Sequence, residues 1–228
     1  MKPLNRIWAV LLTLGMITPL MAQEAGDTIQ AGVHYTVINP AQPTNDASKI
    51  EVVEVFSYMC PHCHSFQPFM DKWAEELSDD IEFRRQPVVF GRPQWVPTAK
   101  AYYIIEAMGA IDGNHNAIFE GIHRQGKRFT SDEDVADYLA TKGLSKDDYM
   151  KTAGSFGIET KLKRGITLTR KYGVRGTPSV VINGKYLTTA TMAGSMEKAI
   201  EVIEHLVEKE RAELAANAST EPAEIAES

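Results

Sequence analysis

Residues 50–59, "IEVVEVFSYM", are β-branched and aromatic and too apolar to be one-faced, a pattern that predicts a strand buried in the middle of a sheet. The period then changes: Phe66, Phe69, Met70, Trp73 and Leu77 fall on one helical face. Pro68 lies inside that helix and is expected to kink it. "IEFRRQPVVF", residues 81–90, reads as a second strand and completes a βαβ unit. Both cysteines of the chain, Cys60 and Cys63, therefore stand where a strand turns into the N-terminus of a helix.

From Gly91 to Gly173 the pattern is helical. Ala99, Tyr102, Tyr103 and Met108 mark one helix ending at Gly109, and Ile118, Phe119 and Ile122 mark another ending before Gly126. Ser131 with Asp134 and Ser145 with Asp148 have the spacing of N-terminal capping pairs. Leu162, Ile166, Thr169 and Tyr172 give a last helix, stopped by Gly173. "TPSVVING", residues 177–184, returns to strand, and Asn183-Gly184 predicts a tight hairpin into Tyr186 and Leu187. Met196, Ile200, Ile203 and Val207 place a final amphipathic helix. The predicted order is β, β, α, β, a helical block, β, β, α, without internal repeats.

The two ends read differently from the middle. Lys2 and Arg6, the apolar run Ile7–Ile17 and Leu20-Met21-Ala22 have the layout of an export signal over residues 1–22, cleaved near Ala22. The run is too short to span a bilayer as an anchor, so a soluble exported chain beginning near Gln23 is expected; a buried N-terminal helix is the alternative. Residues 1–22 hold two bases and no acids, and their removal moves the net charge from −6 to −8. That balance argues against a nucleic-acid partner. Residues 208–228 carry six glutamates against one lysine and one arginine, with almost no large apolar residues, and are expected to form an acidic disordered tail.

Two cysteines are too few to staple an exported protein, and a loop this short constrains the unfolded chain very little. The pair is better explained by chemistry. "CPHCH", residues 60–64, can be the dithiol of an exchange enzyme or the attachment signal of a c-type haem, which would make the protein an electron carrier. The position after an apolar strand, Pro61 suited to a first helical turn, and the strands elsewhere favour the dithiol. No metal site is expected, because no further cysteine and no spaced histidine pair completes a ligand set.

"EVFSYMCPHC", "VRGTPSVVINGKY" and the helical block between them resemble the DsbA family of periplasmic thiol–disulfide oxidoreductases, in the thioredoxin superfamily. The likeness runs from "GVHYTVI", residues 32–38, to the last helix. It implies an α/β thioredoxin fold with an inserted helical domain, divided as residues 23–90 with the active site, 91–173 as the insertion and 174–207 as the second thioredoxin-like part. It makes Cys60 the exposed, attacking sulfur and Cys63 the buried resolving thiol. Pro61 and His62 are expected to tune Cys60, together with unsatisfied N–H groups and the dipole of the helix. A depressed thiol pKa and an oxidising potential are known properties of this family. Each pKa unit below neutrality stabilises the dithiol form by roughly 1.4 kcal/mol, or about 30 mV.

Further roles follow from the resemblance. Glu54 matches an acid beneath the active site that relays protons to the buried thiol; an acid facing solvent at a strand edge is the alternative. Arg85 stands where the family has a lysine facing that acid, and an arginine cannot give up its proton as a lysine can. Thr177 and Pro178 match the cis-proline loop, whose threonine position influences potential and substrate contact. Thr-Pro alone predicts trans. His64 reads as a surface helix residue, His34, His115, His123 and His205 as surface or core, and Trp95 and Tyr102 as packing. The implied partners are unfolded exported proteins with free thiols and a membrane quinone-linked oxidase of the DsbB type, with no cofactor beyond the redox-active disulfide. A monomer in the periplasm is expected. A periplasmic reductase carries the same dithiol. An isomerase usually has an N-terminal dimerisation domain, for which the 37 positions from Gln23 to Cys60 leave no room.

Overall fold

The computed structural model describes residues 28–220, so the export signal expected over residues 1–22 lies outside the described residues. Five strands form one mixed sheet in the order β1-β5-β4-β2-β3. They are β1 (Thr36–Val37), β2 (Ile50–Phe56), β3 (Ile81–Pro87), β4 (Ser179–Ile182) and β5 (Tyr186–Thr188). β2 runs parallel to β3 and antiparallel to β4. Every residue of β2 is buried, including Glu51 and Glu54, as its unbroken apolar pattern requires.

Helix α1 (Pro61–Glu75) crosses over between β2 and β3. Its Phe66, Met70 and Trp73 join Ile50 and Val52 of β2, and with them Val202, Ile203 and Leu206 of the last helix, in one core. Val53, Val55 and Val181 point to the opposite face, against Tyr172 and Val174. Pro68 sits inside α1 without ending it.

Between β3 and β4 lie a 3-10 turn (Pro93–Trp95) and helices α2 (Val96–Ala107), α3 (Asn114–His123), α4 (Asp132–Ala140), α5 (Lys146–Ala153) and α6 (Phe156–Lys171). They enclose a core of Ile104, Ile105, Phe119, Leu139 and Tyr149, which also takes in Phe56, Tyr58 and Cys63 from the thioredoxin part. The active-site turn is therefore wedged against the helical block. Ser131 and Asp134 form the reciprocal capping box expected of them, whereas Ser145 only accepts from the Asp148 N–H. Asn183 and Gly184 both take positive φ, 50° and 62°, which builds the β4–β5 turn.

The C-terminal reading needs correction. After α7 (Ala190–Ala193), helix α8 runs from Met196 to Thr220 rather than fraying from residue 208. Alanine and glutamate are strong helix formers, and two side chains fasten the extension. Glu210 is fully buried under the β4–β5 turn, where its carboxylate accepts from Asn183 Nδ2 at 2.5 Å and Lys185 Nζ at 2.8 Å. Arg211 Nε donates to Asp80 at 2.7 Å, just ahead of β3. Residues 221–228 lie outside the described residues.

Candidate active site

β2 ends at Phe56 and α1 begins at Pro61, so residues 57–60 make the turn between them, closed by the Cys60 N–H donating to the Ser57 carbonyl at 3.0 Å. Cys60 caps α1 with extended backbone, and Pro61 occupies the first helical position, where a missing N–H costs nothing. Cys63 lies one turn further and is wholly buried, while Cys60 is partly exposed; both are free thiols. The Cys60 Sγ lies 3.3 Å from the Thr177 carbonyl oxygen, and the Thr177–Pro178 peptide is cis. The loop ahead of β4 thus lies against the outer sulfur.

These surroundings drive the two thiols apart. A hydrogen bond from the Cys63 thiol, contact with Thr177 and the backbone N–H groups of Cys63 and His62 outweigh burial and pull Cys60 down to about 5. Burial, together with the neighbouring Cys60 sulfur, pushes Cys63 far up. At neutral pH the outer sulfur is a thiolate and the inner one a thiol. His62 takes part through its backbone N–H. Its imidazole is exposed and makes no hydrogen bond among the described residues.

Beneath the turn, the parallel register sets Glu54 beside Arg85. Arg85 Nε donates to Glu54 at 2.8 Å, and its Nη2 reaches Asp71 on α1 at 2.5 Å. Burial pushes the Glu54 carboxyl up against the pull of Arg85. Arg85, opposed by burial, is held charged by its two carboxylates. A pocket of about 330 Å³ between α1 and α3, lined by Gln67, Asp71, Arg85, His115 and Asn116 among others, reaches the Arg85 side of this pair. Glu54 makes no hydrogen bond to Cys63 among the described residues.

Against known proteins, the chain matches the family model described as a DSBA-like thioredoxin domain over residues 51–201. It is 40% identical over 192 residues to the thiol:disulfide interchange protein DsbA of Pseudomonas syringae pv. tomato, covering 84% of this chain and 89% of that one. To its counterpart in Pseudomonas aeruginosa it is 36% identical over 208 residues, covering 91% and 97%. This chain belongs to the DsbA family. The crystal structure of Pseudomonas aeruginosa DsbA superposes with a TM-score of 0.80 at 37% identity, over 83% of this chain and 98% of that one. The Xylella fastidiosa DsbA structure gives 0.72 at 32%, over 78% and 96%. As a DsbA-family protein it is a disulfide oxidoreductase with the thioredoxin-like fold.

The haem alternative does not fit this DsbA-family site. Cys63 is sealed in the core, and His64 Nε2 faces the Glu120 carboxylate at 3.0 Å. That contact also revises the expectation for His64. Its side chain is 16% exposed, and its ring stacks on His123 and Phe119 of α3. His123 in turn donates from Nε2 to the Tyr58 carbonyl at 2.8 Å, and the Tyr58 hydroxyl meets His115 Nδ1 at 2.6 Å. None of these contacts was foreseen for His115 or His123. The available signal was their spacing with Phe119, at i, i+4 and i+8, which sets all three on one face of α3.

Proposed function

We propose that the protein donates the Cys60–Cys63 disulfide to newly exported, unfolded proteins in the periplasm. The observation that carries this reading is the split between the two sulfurs: Cys60 partly exposed and held as a thiolate, Cys63 buried behind it and kept protonated. A substrate thiolate attacks the Cys60 sulfur of the disulfide, a mixed disulfide forms, and Cys63 departs and takes up a proton. A second substrate thiolate then attacks the substrate's own sulfur and expels Cys60, a good leaving group because its pKa is low. Two electrons pass from the substrate dithiol to the protein, and a quinone-linked membrane oxidase of the DsbB type takes them on. Glu54 supplies or removes the Cys63 proton. Arg85 holds that carboxyl and does not itself titrate. Thr177, whose carbonyl lies against Cys60, and Pro178 after it receive the substrate backbone. Phe90, 36% exposed beside Trp95 on the loop after β3, adds apolar surface at the same end of the sheet.

The test is the equilibrium of the pair against glutathione buffers, using the chain without residues 1–22. A potential at the oxidising end of the superfamily is expected. A value near that of thioredoxin would replace the donor reading with a reductase. In the same assay Cys60→Ser abolishes exchange, and in Cys63→Ser the Cys60 thiolate attacks the glutathione disulfide of the buffer, releases one glutathione and accumulates as a Cys60–glutathione mixed disulfide that has no inner thiol to resolve it, visible in the intact mass.

A further inference from the structure

Tyr58 stands two residues before Cys60, and α3 holds both of its polar ends. His123 Nε2 binds its carbonyl at 2.8 Å and His115 Nδ1 its hydroxyl at 2.6 Å, while the Phe119 ring between them lies 4.8 Å from the tyrosine ring. The proton positions follow from the partners. A carbonyl only accepts, so His123 carries its proton on Nε2. His115 is buried and kept neutral, and Tyr58 keeps its own proton in the same dry surroundings, so the tyrosine donates and His115 accepts. On the outer side of the turn, His64 follows Cys63 directly. Its ring stacks on that of His123 at 5.1 Å between centroids, and its Nε2 is fixed by Glu120, also on α3.

Two residues of the strand-to-helix segment, Tyr58 and His64, are thus gripped by one helix that belongs to the inserted block, not to the thioredoxin part. Cys60 is the N-cap of α1, but its sulfur makes no capping hydrogen bond to that helix, so its place near the first N–H groups of α1 and against Thr177 depends on the geometry of this turn. We infer that His123 is a positioning residue for thiol–disulfide exchange: its hydrogen bond to the Tyr58 carbonyl fixes the turn that holds Cys60 in its thiolate-stabilising seat. Through that bond the helical insertion sets the redox behaviour of the pair. With the donor removed, the Tyr58 carbonyl turns toward solvent, the turn relaxes and Cys60 loses alignment with its donors.

The inference rests on the exchange role proposed for Cys60, and the experiment separates the two. Thiolate absorbance against pH and the glutathione equilibrium are measured for the parent chain, His123→Phe and His123→Gln. Phenylalanine keeps a ring against His64 and Phe119 without the donor, and the glutamine amide restores an N–H near the place of Nε2. In His123→Phe the Cys60 pKa is expected to rise by about half a unit or more, a roughly threefold fall in the thiolate-to-thiol ratio, with the glutathione equilibrium shifting by a similar factor. His123→Gln is expected to return both values to within about twofold of the parent. A purely structural role would lower the melting temperature of His123→Phe and leave its Cys60 pKa and equilibrium unchanged, which overturns the inference. So does a Gln variant that behaves like Phe while folding normally. Should His123→Phe fail to fold, His123→Leu is read in the same way. If the parent itself shows no low-pH thiolate, the exchange reading fails, and this inference with it.

Discussion

Between about pH 9 and pH 5 the Cys60 sulfur is ionised in the folded dithiol and protonated in the unfolded chain. Its folded pKa is depressed, so its contribution to the stability of the reduced protein is complete above the ordinary thiol pKa and is lost as pH falls through about 5. The disulfide form has no such titration. Thermal denaturation of both forms from about pH 8 to about pH 4 should therefore show the advantage of the reduced form shrinking toward the acid end. A constant gap would mean that Cys60 is not held as a thiolate. Arg85 makes a second prediction. Arg85→Met leaves the Glu54 carboxyl without its partner in the core, and should cost about 3 kcal/mol in urea unfolding. Arg85→Lys, which keeps a charge but loses the fork shared with Asp71, should cost less. The cysteines were legible because their spacing is a local signal. The link from His123 to Tyr58 spans 65 positions of sequence, and no local pattern carries such a distance.

At the scale of elements, strands and helix stops were legible wherever patterning and turn chemistry agreed. β2 announced its burial through an unbroken apolar run, and Asn183-Gly184 announced its turn. The C-terminal half of α8 was not legible, because it lacks the large apolar residues that normally mark a packed helix. Its hold is polar instead: a buried Glu210 and an Arg211–Asp80 pair, neither visible without knowing which loops lie beneath. Ending the chain after Val207 should therefore lower the melting temperature by several degrees, because removing Glu210 leaves the Lys185 and Asn183 groups under the turn unpartnered. An unchanged melting temperature would mean that the extension is only lightly docked. Lys185→Ala, which takes the ion-pair partner from the buried Glu210 and leaves it only Asn183, should be more disruptive than exposed-lysine substitutions elsewhere.

For the whole molecule, the division of labour between the sheet and the inserted helices was anticipated, but their dependence on each other was not. Period separates a strand-bearing frame from a helical block, and the resemblance to the DsbA family implies that the frame is thioredoxin-like. The shared core around Phe56, Tyr58 and Cys63 arises only when the block folds back over the end of β2. Cys60 stands at the C-terminal end of β2. The β4–β5 turn, Asp80 and the part of α8 fastened to them lie at the other end of the sheet. A chain coupled to a bead or an electrode through a point beyond residue 220 would therefore stand with its reactive sulfur facing outward. Its natural neighbours could approach that sulfur without meeting the support.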